Sequence, residues 1–304
     1  MNSERKLRWS RPARAFSFGL LTVLCFFFTN VLADADTIYV SDAWASAIVK
    51  FNSSGSRSVF ANMAPAGMAF DSSGHLYAAT GSSIEKFDSN GNGSVFAHSG
   101  FDWPTGLTFD SRGNLYVADF NDLTIEKFSP SGTGSIFANS GLARPEGLAC
   151  DSRDNLYAAN WNDNTIVKID PSGNESVFAS SGLNMPMGLA FDSSGNLYVS
   201  NQGANTISKL DPSGNESIFV SSGLNQPMGL AFDSGGNLYV VNNGNLGNNT
   251  IVKIDAKGNE SVFASGLQNA GFIAIQVPEP ATWAILVMGI GTLLGGLQFR
   301  RRLS

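Results

Sequence analysis

Residues 186–201 read PMGLAFDSSGNLYVSN, and residues 227–242, offset by 41 positions, read PMGLAFDSGGNLYVVN. Two near-identical stretches at a fixed spacing declare a repeat architecture. Looser copies centre on Gly67, Gly106 and Gly147 and a worn one on Gly271, so repeat glycines lie 39 to 42 residues apart. Each of the first five is followed by a Leu-Tyr pair, at 76–77, 115–116, 156–157, 197–198 and 238–239. The unit reads as four short strands. In the copy at Gly188 they are GLAFD (188–192), LYVSN (197–201), TISKLD (206–211) and ESIFV (216–220), separated by SSGN and PSGN turns. Alternation of period two, β-branched and aromatic residues, and Gly/Asn/Asp turns every 8–12 residues describe strands, and no helical period stands out between 37 and 276. Four strands cannot bury both faces alone, so each unit reads as one blade of a propeller. A further strand, Ile38-Tyr39-Val40, has no preceding partner, and Gly271–Gln276 supplies a first strand with no second. Pairing these two closes a ring of six whole blades. The expected fold is an all-β, six-bladed β-propeller over residues 34–276.

The units resemble NHL repeats, in which a GLA(V/F)D strand precedes a GNLYVAD strand. The likeness spans about 240 residues and is fullest at Gly188–Asn201 and Gly229–Asn242. One departure is a lysine in the third strand of every unit (Lys50, Lys86, Lys127, Lys168, Lys209, Lys253), read as an exposed position with its stem lying on the sheet.

The two ends read as addresses. Residues 1–33 combine a basic stretch, an apolar run from Phe16 to Phe28 and a small-residue end, the pattern of a signal peptide cut by signal peptidase after Ala33 or Ala35. At the other end Pro278-Glu279-Pro280 precedes an apolar run from Ala281 to Leu297 and then Arg300, Arg301 and Arg302. The run is near the short limit for a transmembrane helix, with its arginines on the cytoplasmic side. Residues 277–304 closely resemble the PEP-CTERM sorting signal. That likeness implies recognition by an exosortase in an exopolysaccharide-producing Gram-negative bacterium. It also implies delivery to the cell surface or extracellular matrix, with the inner membrane as a transient anchor.

The formal charge of −6 understates the acidity of the middle. Eight of the nineteen basic residues lie in the tails, leaving 11 basic against 23 acidic residues, about −12. Such a surface repels nucleic acid. Cys25 falls in the signal segment, and Cys150 replaces a Phe of the repeat and reads as core, so the mature chain holds no disulfide. Asn-x-Ser sequons at Asn174, Asn215 and Asn259 recur with a turn and read as structural.

The chemistry of a propeller sits where its inner strands begin. The residue before each repeat glycine is Ala66, Thr105, Glu146, Met187, Met228 or Ala270. The ring resembles gluconolactonase-like propellers in architecture, and there these positions hold metal ligands. Here Glu146 alone supplies an oxygen donor of that kind, too few for a hard cation, and it is expected to be solvated. His75 and His98 fall on opposite faces and cannot act together. No catalytic residue, metal or cofactor is therefore expected. The competing reading is a lactonase-like hydrolase or lyase around Glu146. The loops on the channel-mouth face carry Trp44, Phe101, Trp103, Phe120 and Trp161, expected in adjacent blades. With Asp119, Asn160, Asn162, Asn201 and Asn242 as polar partners they suit a polysaccharide or protein ligand. The expected function is that of an exported, non-catalytic binding or scaffold protein.

Overall fold

Period-two alternation produces short strands, and an aspartate organises the turn after five of the six inner ones. In the computed structural model, which describes residues 36–277 apart from 64, 99 and 245–248, the strands run from β1 to β24 in chain order. The segments expected to act as signal peptide and sorting signal lie outside these residues, as do Pro278, Glu279, Pro280, Arg300, Arg301 and Arg302. The fifth blade shows the plan. Its sheet is antiparallel, ordered β16 (Pro186–Phe191), β17 (Leu197–Asn201), β18 (Thr206–Leu210) and β19 (Glu216–Val220). Five sheets are contiguous in the chain. The sixth joins β24 (Ala270–Gln276) to β1 (Thr37–Asp42), β2 (Ala47–Phe51) and β3 (Arg57–Ala61), with Ile38 opposite Ile275 and Val40 opposite Ile273. The protein is a six-bladed propeller closed by its two ends, as the orphan strands require.

In the fifth blade the Asp192 Oδ1 accepts the Ser194 and Asn196 backbone N–H groups at 2.9 Å, and Oδ2 accepts the Asn196 amide at 2.8 Å. The same carboxylate lies 3.7 Å from Lys209 Nζ, which sits 5.3 Å from the centroid of Tyr198. Asp71, Asp110 and Asp233 pair likewise with Lys86, Lys127 and Lys253, and Lys168 lies over Tyr157. The recurrent lysine thus links the turn aspartate to the tyrosine of the second strand. The first blade departs from this pattern. Gln276 stands in place of the aspartate and accepts the Tyr39 hydroxyl at 3.3 Å, while Lys50 lies over Phe60. The sequon asparagines serve the third-to-fourth-strand turn, Asn174 Nδ2 donating to Asp170 at 2.7 Å and Asn215 Nδ2 to Asp211 at 2.8 Å.

The apolar clusters form between blades. Each of six joins two neighbours, and the cluster that closes the ring unites Ile38, Val40 and Val49 with Tyr239, Val241 and Ile251. Tyr198 meets Phe219 of its own blade edge-on at 5.0 Å and Phe232 of the next at 5.1 Å. Cys150 takes the corresponding Phe position beside Tyr116. It is half-buried in that cluster, and burial first of all pushes its thiol up to about 12.

The repeat glycine has a steric cause. A Cβ on Gly188 would strike the Met228 carbonyl oxygen of the neighbouring inner strand, and Gly67, Gly106 and Gly147 face the same clash. Glycine lets the inner strands approach backbone to backbone. Gly188→Ala is expected to destabilise the propeller by about 2 kcal/mol, read from the midpoint of denaturant unfolding. An unchanged midpoint would refute this tight inner ring.

Candidate ligand-binding cup

The inner strands are bent at the channel mouth. In the fifth blade Pro186 faces Asn201 and Leu189 faces Val199, so Met187 and Gly188 together oppose Ser200. This β-bulge recurs at Thr105-Gly106, Glu146-Gly147 and Met228-Gly229, and it re-aims the residue before each glycine. Hydroxyls pin the bent segments within and across blades. Ser200 Oγ accepts the Gly188 N–H at 2.7 Å and donates to the Met228 carbonyl at 2.6 Å. Thr105 Oγ1 donates to the Pro145 carbonyl at 2.9 Å, and Ser41 Oγ accepts the Phe272 N–H at 2.8 Å.

Above these bulges opens a cup of about 810 Å³, with Trp103, Thr105, Glu146, Met187, Met228 and Phe272 in its lining. Beneath it the channel narrows to about 80 Å³ between the repeat glycines and Leu107, Leu148, Leu189 and Leu230. Glu146 is buried at 9% exposure, against the expectation that it would be solvated. Its neighbours in the ring of equivalent positions are apolar or held by backbone, so the side chain is largely shielded and its carboxyl meets solvent only through the cup it lines. Burial pushes it up to about 8. Among the described residues its carboxyl has no hydrogen-bond or ion-pair partner.

The sequence-derived ligand residues separate into two groups. Trp44 and Trp103 are exposed, at 57% and 66%. The Phe120 and Trp161 rings lie 6.2 Å apart, tilted by 54°, the Arg144 guanidinium lies 5.3 Å from Phe120 and 6.0 Å from Trp161, and Trp161 Nε1 donates to Gln202 Oε1 at 3.4 Å. Trp103 adjoins this cluster, because the Phe120 N–H donates to its carbonyl at 3.1 Å. Trp44 does not share an adjacent blade with them: the second blade intervenes, with Gly81 and Ser82 at the corresponding turn. Phe101 is buried against Phe128 at 5.9 Å and belongs mainly to a blade core.

Asn162 is exposed, but Asp119, Asn160, Asn201 and Asn242 are buried and brace loops instead of facing a ligand. Asn160 Oδ1 accepts the Ala143 N–H at 3.1 Å while Nδ2 donates to the Gly141 carbonyl at 2.9 Å. Asn201 and Asn242 accept the Asn184 and Asn225 N–H groups, and Asp119 accepts those of Asp102 and Asp122. Burial is the main cause raising the Asp119 carboxyl above its ordinary range. A polar side chain at a strand end satisfies a part-buried loop donor in each case.

These braces hold an unusual rim. Trp103, Arg144, Met185 and Gln226, each just before a proline, adopt left-handed φ values of 76°, 55°, 49° and 46°. Such a conformation costs a non-glycine residue about 1 kcal/mol or more. It is held by the loops: Met185 and Gln226 N–H groups donate to Asn164 and Asn205 Oδ1 at 2.6 and 2.7 Å. Four different side chains are thereby displayed around the mouth. Of the histidines, His75 bonds Asp71 at 3.0 Å in a turn on the face away from the cup. Among the described residues no three His, Cys, Asp or Glu side chains are grouped to hold a metal ion.

A family description for the NHL repeat matches residues 101–128, and one for the PEP-CTERM protein-sorting motif matches residues 276–302. No curated protein sequence matches the chain. Among solved structures, a chain of the nidogen/laminin complex is similar at TM-score 0.72 and 21% identity, covering 81% of this chain and 100% of that one. Virginiamycin B lyase from Staphylococcus aureus is similar at TM-score 0.58 and 16% identity, covering 74% and 80%. A protein of unknown function from Bacteroides caccae reaches 0.67 at 15% identity, covering 81% and 100%. At these identities the likeness is one of fold, shared by a lyase and by a chain of the nidogen/laminin complex. The sorting motif marks the chain for exosortase-dependent export. The chain is a six-bladed β-propeller that carries an NHL repeat and a carboxy-terminal PEP-CTERM sorting motif.

Proposed function

We propose that the protein is a non-catalytic binding module of the cell surface or extracellular matrix, with its ligand seated in the cup and against the Trp103, Phe120, Arg144 and Trp161 rim. In this reading signal peptidase removes residues 1–33, the propeller occupies 34–276, and an exosortase processes the tail at 277–304. The observation that carries it is the cup itself, a cavity of small-ligand size with walls of mixed apolar and polar side chains and a largely buried Glu146 that has no protein partner for its carboxyl among the described residues. The left-handed rim adds support, since glycine would take that backbone without strain and expose no side chain. Filling the cup tests the proposal. Met187→Trp combined with Met228→Trp is expected to abolish retention of the secreted protein in the matrix while leaving its thermal midpoint within a few degrees. Full retention by a folded double variant would refute a ligand in the cup.

The raised carboxyl of Glu146 favours one other reading, a hydrolase or lyase in which it is the general acid. Turnover of a lactone or cyclic ester that disappears in Glu146→Gln would establish that reading in place of the first.

A further inference from the structure

We infer that the cup takes an organic primary ammonium, seating the cation on the Glu146 carboxylate and the ligand body against Met187, Met228 and Phe272. The inference rests on the cup being the ligand site and names the chemistry that the site would select. A buried carboxyl without a partner is an unfinished interaction, and a cation is the ligand group that completes it. The surrounding walls suit the same choice. Thioether sulfurs are polarisable and aromatic faces carry negative potential, so Met187, Met228, Phe272 and Trp103 line the cup with groups that tolerate a cation beside an apolar body. The exported domain adds a long-range term, because a charge of about −12 draws cations toward it and repels anions.

Nothing in the lining competes for the carboxylate. Among the described lining residues the only other titratable side chain is Asp102, whose Oδ1 accepts the Asn121 amide at 3.1 Å. Arg144, the rim cation, lies over Phe120 and Trp161 and does not line the cup. The aromatic rim extends the site outward, and it offers flat faces to whatever carries the ammonium. Two sources present that chemistry: a free aralkylamine, and a polysaccharide whose sugars bear unacetylated amino groups.

The secreted protein is titrated calorimetrically with phenethylamine, with its neutral counterpart 2-phenylethanol, and with glucosamine and N-acetylglucosamine oligomers. At least one ammonium probe is expected to bind about tenfold or more tightly than its neutral counterpart. Glu146→Gln is expected to erase that preference without weakening the neutral probe. Binding at pH 7 is expected to release close to one proton, seen as a heat that varies with the ionisation enthalpy of the buffer. Phenethylamine binding alone assigns a free amine, and glucosamine-oligomer binding alone assigns an amino polysaccharide. The inference is overturned if no ammonium probe binds below about 10 mM, or if Glu146→Gln binds the ammonium as well as the native protein does. Should neutral oligomers bind and the Met187→Trp, Met228→Trp double variant lose them while ammonium probes fail, the ammonium assignment falls and the binding function stands.

Discussion

A chain ending at Asn269, lacking β24, is expected to lose most of its folding free energy. This strand is the inner strand of the first blade, and it pairs along β1 from Thr37 to Asp42. Its side chains enter two cores. Ala270 and Ile273 complete the cluster between the sixth and first blades, and Ala274 completes that between the first and second. Burial of Ile273, Ile275 and the two alanines is worth about 5 kcal/mol by area, before the backbone ladder is counted. A domain is stable by only about 5–15 kcal/mol, so removing one strand consumes a large share. The loss is cooperative, because the apolar clusters lie between blades and an opened ring leaves two of them incomplete. Polar ties go as well: Gln276 Nε2 donates to the Gly74 carbonyl at 3.2 Å, and Asn249 Oδ1 accepts the Ala270 N–H at 3.3 Å. Guanidinium unfolding followed by tryptophan fluorescence compares chains ending at Val277 and Asn269. The first is expected to unfold in one sharp transition and the second to be largely unfolded without denaturant. Equal midpoints would mean that the ring does not depend on its closing strand.

The fold was legible because it is written six times. A substitution that blurs one copy, such as Cys150 for Phe, leaves five others to set the period, and the two orphan strands then dictate closure. The cup was less legible for a physical reason. Period-two reading assigns side chains to faces only while the register is regular, and the bulges at Gly106, Gly147, Gly188 and Gly229 shift it where the cup begins. Glu146 stands out in the sequence as the acidic member of its ring, and its burial is legible in principle from the alanines and methionines in the equivalent slots. The braces misled for a different cause. Asp119, Asn160, Asn201 and Asn242 are polar residues at strand ends, which is where both a ligand contact and a loop-holding hydrogen bond occur, and composition does not distinguish the two. The lysine in every third strand shows the same limit, since its partners Asp192 and Tyr198 are 17 and 11 positions from Lys209 in sequence yet adjacent across the sheet.

Glu146→Gln is expected to stabilise the propeller, and by an amount that grows with pH. The carboxyl titrates at about 8 when folded against an ordinary value of 4.5. Between those values the folded chain holds a proton that the unfolded chain releases. The unfolded state therefore gains from rising pH, and native stability falls through this window by about 1.4 kcal/mol per pH unit. Above about pH 8 both states are ionised and the decline stops. The glutamine variant keeps the shape and has no proton to lose there, so its advantage over the native protein is expected to be small near pH 4 and about 3 kcal/mol at pH 7. Comparing the two proteins at each pH removes the titration of the surface aspartates, which is common to both. Urea unfolding at pH 4, 5.5, 7 and 8.5 supplies the curve. Two parallel profiles would show that the carboxyl is solvated or paired in solution, and the premise of an unfinished interaction in the cup would fall with it. A widening gap has the opposite meaning: the native protein keeps, at the centre of its ring, a group that weakens it at neutral pH. Selection for folding alone favours glutamine or methionine at that position, as Met187 and Met228 fill it in the next two blades. A ligand that supplies the missing charge would close the gap, because it binds the ionised form and stabilises the native protein without stabilising the variant.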